Sequence, residues 1–193
     1  MESNLTEKDS LKLITEMIKA AKGNANQSFF HIIMWGWVIS TICIAQFIMI
    51  RFSDWGKNSV YIWLLVLPFG IVSSVYGYKQ GRKEKVRTFI DSVYAWVWIA
   101  FVISLTLVLI ISFRNVMSIT PLVLVTAGTA TFLSGQIIKF KPLIWGGLAF
   151  WGWSLVAFGL QNELNLIINA LAIFTGYLIP GYMLKNKLKK NAI

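Results

Sequence analysis

Six apolar stretches, each long enough to cross a bilayer, constrain this chain more than any other feature. They run from Phe29 to Ile50, about Val60 to Tyr78, about Thr88 to Phe113, about Ile119 to Ile138, Leu143 to Leu160 and about Leu164 to Leu184. A helix needs roughly 20 apolar residues to cross a membrane, so six such spans consume most of the chain. Charged residues make up only 13% of it, about half the share that a water-facing surface needs. The expected fold is therefore an all-α integral membrane protein. Its six transmembrane helices occupy 29–185, after a cytoplasmic segment at 1–28 and before a basic cytoplasmic tail at 186–193.

Lys and Arg set the expected orientation. Fifteen of the eighteen lie in the first segment, in the second-to-third and fourth-to-fifth connections, and in the tail. Only Arg51, Lys57 and Arg114 lie on the other side. Both termini are thus expected in the cytoplasm. The net charge of +10 is read as orienting the protein and meeting anionic lipid headgroups, not as binding nucleic acid.

The first segment has the spacing of an amphipathic helix, with Leu11, Ile14, Ile18 and Ala21 on one face and Thr6 as a cap. Acids at Glu2, Glu7, Asp9 and Glu16 separate it from a secretory n-region. The helix is open to three uses: packing on cytoplasmic loops, lying in the interface, or docking a partner.

A weak repeat accompanies the spans. Each odd span carries two Trp two residues apart, at Trp35 and Trp37, Trp96 and Trp98, and Trp151 and Trp153. Two even spans end alike, Thr129–Gly135 before Lys139 and Lys141, and Thr175–Gly181 before Lys185 and Lys187. Three helical hairpins related about the membrane normal would give this pattern. The preference of Trp for interfaces and of Gly for helix contacts gives it too.

Reactive chemistry is sparse. His31 is the single histidine and Cys43 the single cysteine, too few for a zinc site built of several imidazole or thiolate ligands. No serine-protease turn, haem motif or phosphate-binding glycine loop is present. The expected protein is not an enzyme and has no metal or cofactor.

The polar residues inside the spans are then the candidate sites, because such groups are costly in lipid. His31, Asp91 and Gln136 share the cytoplasmic depth and form one candidate cluster. Against it stands an ordinary Arg87–Asp91 pair four residues apart. Gln46 and Asn169 are expected to bridge helices. Trp96, Trp98, Trp151 and Trp153 are candidates for an aromatic pocket. Gly176, Pro180 and Gly181 predict a kink or an unwound turn, since proline removes a donor and clashes with the preceding turn.

Several segments resemble an uncharacterised family of small bacterial membrane proteins. They are Leu11 to Lys22 followed by Phe30-x-x-x-x-Trp35-Gly36-Trp37, Thr88 to Asp91, the Ser134-Gly135…Lys139-Phe-Lys141-Pro142…Gly146-Gly147 junction, and Tyr177 to Lys185. The resemblance implies a bacterial inner-membrane protein and carries no activity. Genes for small winged-helix regulators beside that family's genes imply a stress or envelope role. In size and topology the chain is also similar to the substrate-binding components of energy-coupling vitamin transporters. It departs from them in having only Ser40 and Ala45, at the wrong spacing, where they carry a small-residue docking motif. The resulting expectation is small-ligand binding, transport or envelope regulation. The alternatives are a structural or regulatory module that docks a protein partner or a second copy, and a lipid-modifying enzyme.

Overall fold

The computed structural model describes residues 7–83, 89–115, 119–160 and 162–190, with side chains between residues 30 and 187 except 57, 80, 81, 83–90, 113–118 and 161. The described chain is all helical. Helix α1 spans Glu7–Phe52, a 3₁₀ stretch covers Gly56–Leu65, and α2 spans Val66–Lys83. Then come α3 (Phe89–Asn115), α4 (Ile119–Ile138), α5 (Lys141–Phe158) and α6 (Leu164–Ile173). A π-helical turn at Phe174–Leu178 joins α6 to α7 (Ile179–Lys190).

Five stretches are long and apolar enough to cross a membrane: Phe30–Phe52, Asn58–Lys79, Asp91–Ser112, Ile119–Ile138 and Leu164–Lys187. The remaining helix, α5, has 18 residues and is diluted by Lys141, Pro142, Trp145, Gly146-Gly147 and the run Trp151-Gly152-Trp153. It is nonetheless central to the packing, as shown below. No break separates residues 7–28 from the first span, because α1 is one 46-residue helix. The 23 residues before Phe30 extend it by roughly 35 Å at 1.5 Å per residue. The Leu11–Ala21 face, the Thr6 cap and Arg87 lie outside the described side chains.

Two departures from a regular α-helix trace to proline. Pro68 lies in the first turn of α2, where its missing N–H breaks no bond, but its ring excludes an α-helical carbonyl at Leu64. The chain ahead of it winds as 3₁₀, with the Val66 N–H directed to Trp63 and Leu64 carbonyls. Pro180 acts likewise on Gly176, and the chain widens there into a π turn that stays helical into α7. Its position is set by packing. A methyl added to Gly146 on α5 would lie 2.5 Å from the Gly176 carbonyl oxygen and 3.1 Å from the Pro180 ring. One added to Gly181 would lie 2.8 Å from Ile33 on α1.

Helices α4 and α5 form the most closely packed pair, and glycine is the reason. An added Cβ at Gly135 would meet the Ile144 backbone nitrogen at 2.7 Å, and one at Gly147 the Phe132 backbone at 2.7 Å. The turn between them is a Schellman closure: Phe140 N–H donates to Gly135 O (2.9 Å) and Lys139 N–H to Gln136 O (3.2 Å). Lys139 takes the left-handed conformation at φ 55°, which costs a side-chain-bearing residue about 1–2 kcal/mol. Lys139→Gly is therefore expected to raise the thermal midpoint in detergent, and Lys139→Val to lower it. Equal midpoints for the two variants would remove the strain argument.

Around this pair, α6, the π turn and α7 pack on both α5 and α1. The core of Ile32, Leu124, Leu143, Phe150, Ile173 and Tyr177 lies among them. Among the described residues, α2 packs mainly on α1 and α3 mainly on α4. Two helices adjacent in the chain thus stand at opposite ends of the row. Connections that the sequence assigns to one side do meet. Arg51 lies 3.9 Å from Glu163, and the Lys187 ammonium stands 5.5 Å over the Phe140 ring.

Candidate functional site

His31, Asp91 and Gln136 are not joined in one hydrogen-bonded cluster. His31 bonds instead to α2: the Ser73 hydroxyl lies 2.9 Å from its Nδ1, and Trp35 Nε1 donates to the same hydroxyl oxygen at 3.3 Å. Phe30 stacks on Tyr76 at 4.2 Å, with His31 edge-on to that ring. Asp91 is half-buried and engaged with a partner of its own. Gln136 is exposed. The reason is rotational. Equal depth along three helices says nothing about which way each side chain points.

Gln46 accepts a 2.7 Å bond from Trp63 Nε1 in the 3₁₀ stretch. Asn169 is buried in α6.

The four tryptophans do not line one pocket. Residues two apart on a helix point about 200° apart, so each Trp pair reaches in two directions. Trp35 bonds to α2, whereas Trp37 donates to Tyr182 Oη on α7 (3.1 Å). Trp151 donates to the Val125 carbonyl on α4 (3.3 Å), whereas Trp153 donates to Thr175 Oγ1 in the π turn (3.0 Å). In both odd spans the pair ties one helix to the neighbours on its two sides. On α3 the pattern is incomplete. Trp98 packs against the core with its buried Nε1 unpartnered, and Trp96 is 65% exposed.

Trp96 is part of the lining of a lateral groove of about 440 Å3 between α3 and α4. Val93, Val97, Ala100 and Ser104 form its α3 wall, and Thr126, Thr129 and Leu133 its α4 wall. The spacings of four, three and four on α3, and three and four on α4, are those of a single helical face. The groove's threonine hydroxyls are already used within α4, Thr126 donating to Val123 O (2.9 Å) and Thr129 to Val125 O (3.0 Å). Ser104 on the α3 wall leaves one hydroxyl in a lining that is otherwise apolar or internally bonded. From Val93 to Ser104 the groove runs about 16 Å along the helix axis, close to half of a hydrocarbon core about 30 Å thick.

Sequence reasoning missed this groove, although Ala100, Ser104, Thr126 and Thr129 are the small residues that leave room for it. The signal was obscured because α3 is apolar on all sides, so no face of it stands out. Among the described residues no three His, Cys, Asp or Glu side chains gather as metal ligands. No protein-family model matches the chain, and neither a characterised protein nor a solved structure is found to be similar to it.

Proposed function

We propose that the chain is a six-span protein of a bacterial inner membrane, both termini cytoplasmic, that holds a lipid in the α3–α4 groove and serves binding, transport or envelope regulation rather than catalysis. The groove is the observation that carries this reading. Five long apolar helices support insertion, as do Leu64 on the 3₁₀ stretch, Leu67 and Ile71 on α2, and Val102, Ile103 and Leu107 on α3, all exposed. An exposed apolar surface of that extent does not persist in water. Clustering of Lys and Arg in alternate connections supports the orientation.

A hydrocarbon chain suits the slot for two reasons. The lining offers no unused threonine donor, and the axial length corresponds to one leaflet. The test is photolabelling in nanodiscs with a phospholipid that carries a diazirine on its acyl chain. Label is expected in the peptides holding Val93–Ser104 and Val125–Leu133. Ala100→Trp or Thr129→Trp, each of which fills the slot, is expected to reduce it at least fivefold. Label spread evenly over the outer faces of α2 and α3, and unchanged by filling, would defeat the proposal. A second reading, docking of a protein partner, is favoured by one observation: α1 continues as helix for 23 residues before Phe30, a stiff handle outside the spans.

A further inference from the structure

We infer that the groove takes an anionic phospholipid, whose phosphodiester sits against Lys139 and Lys141 beside Gln136. The inference rests on the groove reading above and adds the headgroup class. Thr126, Thr129, Leu133 and Gln136 follow one another at spacings of three, four and three, so Gln136 continues the groove's α4 wall by one turn. It is exposed, and among the described residues its side chain makes no hydrogen bond to protein. Its amide N–H groups are thus available where a lipid leaving the slot would place its headgroup.

Immediately beyond lies the Schellman turn, with Lys139 and Lys141 exposed on either side of Phe140. Phe140 is 5% exposed, so the turn is anchored in the core. The Lys187 ammonium over its ring brings a third cation from α7. The one ion pair among the described residues, Arg51–Glu163, is at the opposite end of the helices. These lysines accordingly have no described carboxylate partner. Asp91 shares a helical face with Tyr94 and Trp98, about 200° from Val93, and so is turned away from the slot. A lysine ammonium binds phosphate as a point charge, and the Gln136 amide can donate to a phosphate oxygen. A zwitterionic headgroup would add its own cation to this set of positive charges.

The experiment compares diazirine-labelled phosphatidylglycerol and phosphatidylcholine in nanodiscs of neutral lipid, with full-length protein. Wild type is expected to label the groove peptides preferentially with phosphatidylglycerol. In Lys139→Gln/Lys141→Gln, phosphatidylcholine labelling should be unchanged and the preference should fall by more than about tenfold, given roughly fivefold per lysine near an anionic lipid. Lys79→Gln/Arg82→Gln, at exposed positions of α2, should keep the preference. Groove labelling by both lipids without preference in wild type would overturn the headgroup inference and leave the groove reading standing. An equal loss in the α2 variant would overturn it too, as a general charge effect. No groove labelling by either lipid would overturn both readings.

Discussion

Gly147→Leu is expected to abolish a monodisperse, folded protein in detergent, while Gly152→Leu, five residues along the same helix, is tolerated. At Gly147 a Cβ would stand 2.7 Å from the Cα, Cβ and nitrogen of Phe132. Two of those atoms belong to the α4 backbone and cannot rotate aside. Overpacking in a close-packed core costs about 1–3 kcal/mol when side chains can shift; here the helices themselves must separate, so the loss should reach or exceed the upper end. Helix association inside a bilayer has little hydrophobic drive and depends on close approach through small residues. At Gly152 nothing lies within 4 Å of an added Cβ, and leucine gains up to about 1 kcal/mol of helix propensity over glycine. Size-exclusion profiles and thermal midpoints decide the matter. Matching profiles for the two variants would refute the α4–α5 packing described here.

Phe150→Ala should lower stability by about 3 kcal/mol, the lower end for burying and then deleting a phenyl ring. For the membrane-inserted protein proposed above the lower end applies, because part of the transfer gain is absent in lipid while the loss of packing remains. Phe150 is fully buried. Its ring lies edge-on to Tyr177 at 4.9 Å and fills the space over Gly176, where an added Cβ would strike ring carbons Cε2, Cδ2 and Cζ. This shared space predicts non-additivity. Gly176→Ala alone should destabilise, but within Phe150→Ala it should cost much less, since the methyl enters the vacated volume. Additive losses in thermal unfolding would mean that the ring and the π turn do not share that space.

The features readable in the sequence are those in which each residue contributes independently of its neighbours in space. Hydropathy sums along the chain, so five of the expected spans coincide with long apolar helices whatever the tertiary arrangement. Covalent constraints are equally local. Pro180 lacks an N–H and excludes the carbonyl four residues back, so a departure from α-helix near Gly176 follows from the sequence alone. The same logic applied to Pro68 reaches only the carbonyl of Leu64; the 3₁₀ winding from Gly56 onward does not follow from it. The 200° separation within each Trp pair was also readable from spacing, and it excludes a single pocket built from Trp96 with Trp98 or from Trp151 with Trp153.

Rotation and neighbour choice were decided only by the tertiary structure. His31 faces Ser73 and Tyr76 on α2 because α1 is turned toward α2 at that level; nothing in the local sequence distinguishes this from a turn toward α3. An amphipathic helix reveals its buried face through its polar one, but α3 is apolar on all sides, so its division into a core face bearing Trp98 and a groove face bearing Ala100 depends on contact with α4. Sequence and covalent chemistry therefore determined how many apolar helices form and where proline interrupts them. Close packing of side chains against backbone, an interaction between residues distant in the chain, determined which faces meet and which slot remains open.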